Sequence, residues 1–332
     1  MIVSRAPTRI TLGGGGTDLA SYYSKYGGFL IAGGINKYCT ILATRRFYDS
    51  IRLSYSATEM VNRVDEIKHP IFRTSLELMH INHAIELHST ADVPAGSGLG
   101  SSSSFTVALL NALHAYNHDY VSQKQLAQEA CQVEIEILHE PIGKQDQFMA
   151  AFGGLTCLTL EKNGEVLVEP LRISDEMQDQ LENSLLLFFT GKERSASGIL
   201  ADQDKKSQAE DPGMILNLHK TKEIGLLTRK YLENGKLDML GQLFHEHWEN
   251  KKKRSASISD PQIDEYYEIA LKHGALGGKL IGAGGGGFLM FYCQISSKPK
   301  LIQAMQKAGL KWEKFHFDHD GAKLLVNTTT GN

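Results

Sequence analysis

The chain has 332 residues, of which 42% are hydrophobic and 22% charged, the mixture of an ordinary globular protein long enough for two domains. A chain of this length can bury a large core without disulfides or structural metals. Its formal net charge of −3 supplies no strongly basic face, which argues against nucleic acid as the main partner, and no stretch approaches the 18 apolar residues of a membrane span.

Taken in chain order, the first 55 residues are expected to be strand-rich, with short β-forming runs at 29–35 (FLIAGGI) and 38–44 (YCTILAT). Before them, LASYYSKYG after Asp18 predicts a short helix ending at Gly27. Alternation over 84–91 predicts a strand, and 101–117 a helix whose apolar stripe follows a serine cap. A further helix is expected over 122–139, stopped by Pro141, then two strands within 155–169. The second half is richer in helix, with candidates at 213–234, 236–254, 261–273 and 298–309 and strands at 185–189, 276–281, 287–293 and 321–326. No regular βαβα rhythm emerges, which argues for an α+β fold, divided near residue 180 into units 1–180 and 181–332. The N-terminus carries no secretory signal pattern, and Cys39, Cys131, Cys157 and Cys293 form no CxxC pair. A cytoplasmic protein without a structural metal is the expectation.

Glycine is concentrated in three runs, Gly13 to Gly16, Gly96 to Gly100 and Gly282 to Gly287. Such runs suit backbone brought close to a ligand, because only glycine lacks the Cβ that blocks the approach. The segment from Pro94 to Ser104, PAGSGLGSSSS, runs from a predicted strand into a predicted helix. Successive N–H groups in such a loop make a concave anion site, and the helix N-terminus behind it adds the positive end of its dipole. A serine hydroxyl there can also help to hold Mg²⁺ on bound phosphates. A Walker A loop is excluded, since Gly278-Lys279-Leu280 puts leucine where a hydroxyl is needed. Gly282, Gly284 and Gly287 match GxGxxG, but the following FLMFYC reads as a strand where a dinucleotide fold needs a helix. A strand–turn–strand with close backbone approach is expected there.

PAGSGLGSSSS resembles the central motif of the GHMP kinases, the family of galactokinase, homoserine kinase, mevalonate kinase and phosphomevalonate kinase. The run from Arg5 to Asp18, RAPTRITLGGGGTD, is similar to the first family motif, and Lys279 to Phe288, KLIGAGGGGF, to the third. The resemblance implies an N-terminal ribosomal-protein-S5-domain-2-like unit, a C-terminal ferredoxin-like unit and an active site between them. Within the family, the opening RAPTRITLGGGGTDL and the run EPIGKQDQ from Glu140 to Gln147 look most like kinases of D-glycero-D-manno-heptose 7-phosphate. The implied reaction is Mg²⁺-dependent transfer from ATP to a sugar or sugar phosphate, at O1, with a homo-oligomer left open.

Site roles follow from the same resemblance. Pro94, Gly96, Ser97, Gly98, Leu99, Gly100, Ser101, Ser102 and Ser103 are expected around the nucleotide. VEIEILHEPIGKQDQ aligns with the galactokinase pattern AEHxFAGxPCGxxDQ, which implies Glu134 and Ser102 on Mg²⁺ and Asp146 facing the acceptor hydroxyl. Ser101, Ser103 and Glu136 are the neighbouring alternatives, Glu136 pointing elsewhere on a helix. Arg9 matches the basic residue of the first motif and would stabilise developing charge, although an arginine on an edge strand would read the same. Asp18 matches a sugar-binding aspartate and would serve equally as a helix N-cap. Thr17, Gly15, Gly16, Gly284 and Gly285 are expected on the substrate side. Gly15 stands where galactokinase has a glutamate, which would make room for a larger, anionic substrate. Lys144 and Arg194 are the chosen cations for a substrate phosphate, ahead of Arg5 and the run from Lys251 to Arg254, which also reads as a solvated helix terminus.

Overall fold

The computed structural model describes residues 1–193 and 197–328. Its strands in chain order are β1 (Ile2–Gly13), β2 (Gly28–Arg45), β3 (Ile51–Ser54), β4 (Thr58–Val61), β5 (Ile85–Ala91), β6 (Leu155–Leu160), β7 (Val166–Pro170), β8 (Leu185–Phe189), β9 (Ala275–Leu280), β10 (Phe288–Cys293), β11 (Lys311–Glu313) and β12 (Lys323–Asn327). The first sheet has the order β12-β1-β2-β5-β3-β4, with β6 and β7 branching from β2.

The two runs expected around residues 29–44 are one 18-residue strand. Its first half pairs with β6 and its second with β5, while β1 lies antiparallel along nearly the whole length. Opposite the step from Pro7 to Thr8 the register shifts, and Asn36 and Lys37 of β2 bulge out of the pairing. Alternation along β2 feeds two cores. Leu30, Ala32, Ile41 and Ala43 face the helix Ser101–Tyr116 through Val107, Leu110 and Leu113. Phe29, Ile31 and Ile35 face the other way, into a core shared with the second sheet.

That second sheet is antiparallel throughout, in the order β11-β8-β10-β9. In chain order it reads 4-1-3-2, the ferredoxin-like arrangement. Phe288, Met290 and Tyr292 enter the shared core, whereas Leu289, Phe291 and Cys293 enter a third one with Trp248, Tyr267 and Leu301. Burial on both faces explains why FLMFYC is apolar without alternation. The helices Pro212–Glu233 and Leu237–Lys252 pack against each other, the first on β1 and β2 and the second on β9.

Residue 180 falls in the helix Asp175–Ser184, directly before β8, and β12 crosses back to pair with β1. All four cysteines are free and buried. Among the described residues no helix is long and apolar enough to cross a membrane.

Candidate active site

The glycine loop enters its helix by backbone geometry. Gly96, Gly98 and Gly100 have φ of 71°, 83° and 78°, a left-handed run that side chains disfavour. Gly100 is the helix N-cap, and no side chain caps it. The expected serine cap is therefore not made. Ser101 to Ser104 lie inside the first turn, which frees their hydroxyls for other partners. A Cβ on Gly98 would sit 2.6 Å from the Ile281 carbonyl oxygen, and one on Gly282 would sit 2.7 Å from the Gly98 Cα. The second and third glycine runs thus pack backbone against backbone, and β9–turn–β10 is the close approach read from the sequence.

Glu134 collects four donors. Ser102 Oγ donates at 3.1 Å, Ser103 Oγ at 2.8 Å, Thr106 Oγ1 at 3.1 Å and Gln147 Nε2 at 2.7 Å. The carboxylate is 1% exposed. Burial pushes its pKa up to about 6, against the pull of these four donors. The helix Gln123–Cys131 widens into a π-turn over Gln132–Ile137, a distortion common at functional sites, and this turn carries Glu134 inward. Glu136 is exposed and points away. Thr106 and Gln147 escaped the sequence reading, although each lies on the inner face of a motif helix.

Arg9 is buried in the middle of β1, beyond the reach of β12, where its backbone N–H donates to the Leu99 carbonyl of the glycine loop at 2.9 Å, and it is not a surface residue. Its Nε and Nη2 each donate to Asp146 at 2.7 Å, and Nη1 donates to the Gly98 carbonyl at 2.5 Å. This bidentate pair fixes Asp146, at the start of the helix Gln145–Phe152, over the glycine loop. Asp18 does not cap the helix that follows it, whose N-cap is Leu19. Its carboxylate accepts the Gly16 N–H at 3.0 Å and the Gln145 N–H at 3.1 Å. Burial, reinforced by the charge of Asp146, raises its pKa. Gly143 leaves room for it, since a Cβ there would lie 1.9 Å from Asp18 Oδ2.

These groups border one cavity of about 350 Å³, with Gly15, Gly16, Gly96, Gly98, Gly100 and Ser101 on its wall. Several expected site residues lie off it. Ser97 and Leu99 are fully buried, and Pro94 is not part of the wall. Thr17 spends its hydroxyl on the Gly14 and Phe29 carbonyls, which braces the first glycine run. Gly284 and Gly285 pack behind the cavity against Ile258.

The cations differ most from expectation. Lys144 turns away to the Gly164 carbonyl at 2.8 Å and over the Tyr23 ring, and Arg5 stacks on Tyr38. Arg194 lies outside the described residues. Lys251, Arg254 and Lys279 instead line the cavity, so the KKKR run is a solvated terminus only at its middle residues. A signal was present. Leu240, Phe244, His247 and Lys251 recur at the spacing of one helical face, and all four are buried.

Family models bear on what this site belongs to. The GHMP kinases N terminal domain matches residues 61–154 and the GHMP kinases C terminal domain residues 228–311. Over 334 aligned residues the chain is 30% identical to D-glycero-alpha-D-manno-heptose 7-phosphate kinase of Campylobacter jejuni, covering 97% of this chain and 98% of that protein. The chain belongs to the GHMP kinases. The crystal structure of a D-glycero-D-manno-heptose 1-phosphate kinase from Bacteroides thetaiotaomicron superposes with a TM-score of 0.81 at 25% identity, over 98% of this chain and 99% of that one. Galactokinase of Lactococcus lactis, complexed with galactose, shares the fold at 19% identity, with a TM-score of 0.77 over 97% and 94% of the two chains. The GHMP kinase described here is a sugar kinase that uses ATP.

Proposed function

We propose that this kinase transfers the γ-phosphoryl group of ATP to O1 of D-glycero-D-manno-heptose 7-phosphate, giving the 1,7-bisphosphate. One juxtaposition supports the reading. Asp146, clamped by Arg9, and the Glu134–serine cluster open onto the same cavity as the glycine loop. The names of both heptose relatives point to a heptose phosphate and differ in which phosphate is resident before the reaction.

Phosphoryl transfer asks a protein chiefly for positioning and charge stabilisation. The glycine-loop N–H groups and the N-terminus of the helix Ser101–Tyr116 receive the nucleotide phosphates. Asp146 accepts the proton of the acceptor hydroxyl, and Arg9 holds it in place and faces the transferring group. Asp18 binds a sugar hydroxyl. Glu134, Ser102 and Ser103 form an all-oxygen set around a buried carboxylate, which fits a hard divalent cation. Mg²⁺ held there would neutralise charge on the nucleotide phosphates.

Incubation with ATP, Mg²⁺ and a panel of sugars and sugar phosphates, followed by ADP release and phosphorus NMR of the product, tests the assignment. Turnover of free galactose or fucose in preference to the heptose phosphate would replace the acceptor. ADP formed with no sugar dependence would remove the sugar assignment. Asp146→Asn is expected to keep ATP binding and lose about 100-fold or more in turnover. Near-normal turnover would take the proton-accepting role from Asp146.

A further inference from the structure

Three basic side chains line the cavity wall without a hydrogen bond or ion pair to any acid among the described residues. Lys251, Arg254 and Lys279 are 7%, 5% and 3% exposed, and each lines the cavity. Neighbouring cations are paired, Arg9 with Asp146 and Lys252 with Glu249. These three instead meet neutral groups among the described residues. Lys251 Nζ donates to the carbonyls of Leu280, at 2.8 Å, and Gly282. Lys279 Nζ donates to the Leu12 carbonyl at 2.8 Å and meets His247 Nδ1 at 3.0 Å. Arg254 gives Nε to Asn217 Oδ1 at 2.8 Å, Nη2 to Thr221 Oγ1 at 2.5 Å, and Nη1 to Gln203 Oε1 at 3.4 Å and Gly15 O at 3.3 Å.

An ammonium group has three N–H donors and a guanidinium five. By that count each of the three retains one N–H with no acceptor among the described residues. Burial, reinforced by the neighbouring cations, pushes both lysines well below their usual range, and burial brings Arg254 down to about 10 against the opposing pull of Asp18. Holding carbonyls in place does not require charge, because a neutral amide does it without the desolvation cost. Three cations gathered on one wall are balanced when an anion enters.

A phosphate group meets that requirement, and two sources exist, the nucleotide and the acceptor. The nucleotide already has the glycine loop and the Glu134 cluster. Arg254 stands at the first glycine run, where a Cβ on Gly16 would lie 2.5 Å from Nη1. Its charge also feels Asp18, the acid assigned to the sugar. We propose that Arg254 and Lys251, three residues apart at the end of the helix Leu237–Lys252, form a subsite for the phosphate the acceptor sugar already carries, backed by Lys279. This subsite selects sugar phosphates over sugars. The inference rests on the sugar-phosphate reading given above.

Steady-state kinetics of wild type, R254Q and R254K on heptose 7-phosphate and on the unphosphorylated heptose test it. R254Q is expected to lower kcat/KM for the phosphorylated sugar about 10- to 100-fold relative to the free sugar, the value of one charge-assisted contact, and to do so through KM. R254K should recover part of the loss. An equal loss on both sugars, or a loss that falls on the KM for ATP, overturns the subsite. Inorganic phosphate titrated into the wild type needs no variant. It is expected to compete with heptose 7-phosphate and not with ATP, and competition with ATP alone overturns the assignment. Should the wild type phosphorylate only free sugars, the proposed acceptor falls. The subsite is then judged by whether phosphate protects the nucleotide-free protein against thermal unfolding, and absence of protection overturns it as well.

Discussion

Glu134 holds a carboxylate where burial alone would leave it protonated. Its pKa in the fold is about 6, against an ordinary 4.5. Between those values the unfolded chain has released the proton while the native site still holds it. This group therefore stabilises the metal-free fold fully below about pH 4.5, and the contribution, about 2 kcal/mol, is lost as pH rises through about 6. Glu134→Gln keeps the size and removes the titration. In chelator, the stability difference between wild type and this variant should move against the wild type across that interval, and Mg²⁺ should restore the wild type near neutral pH. Denaturation midpoints that run parallel at every pH would show that Glu134 does not titrate there. That Glu134 and Glu136 face different ways was legible from helix geometry, since two residues along a helix turn a side chain by more than a right angle, and the choice between them followed the galactokinase pattern. The four-donor cluster was not, because Thr106 and Gln147 come from separate elements and meet only in the folded chain.

At the scale of elements, the glycine runs govern how the two sheets meet. Gly98 combines φ of 83° with a 2.6 Å approach to the Ile281 carbonyl, so a methyl group there suffers both backbone strain and a clash. Gly98→Ala is expected to lose about 1–3 kcal/mol in chemical denaturation and to weaken nucleotide binding in a titration. Wild-type values for both would mean that the loop and the β9–β10 turn do not bear on each other in solution. Element types along the chain were largely legible, and the helix expected after Asp18 occupies Ala20–Tyr26. The exceptions have local causes. A serine run reads as a cap, but Gly100 alone accepts the left-handed backbone at that position. Asn36 and Lys37 read as a break between two runs, yet β2 passes through them as a bulge against β1. Pro141 was expected to stop a helix, and the chain departs from α-geometry earlier, at the π-turn.

Across the whole molecule, a single apolar core joins the two sheets. Ile10, Leu12 and Phe29 from the first meet Leu187, Met290 and Phe244 from the second unit. Domains joined by a hydrophobic core of this kind unfold together, whereas small polar interfaces let them move apart. Calorimetry is expected to show one transition, and Phe244→Ala, costing about 3–5 kcal/mol, should shift all of it. Two transitions, of which only one moves, would mean the units are independent. The acids Glu134 and Asp146 were chosen from the resemblance to the galactokinase pattern, whereas local sequence by itself determined the element types, the α+β class and the three glycine runs. Those features depend on periodicity, turn chemistry and motif spacing, which act over a few residues. Tertiary structure decided that Lys144 turns outward and that Arg254 and Lys279 join Lys251 on the cavity wall. It also decided that β12 returns to β1. A side chain's burial depends on which distant element covers its face, and that packing is not written in the residues on either side of it.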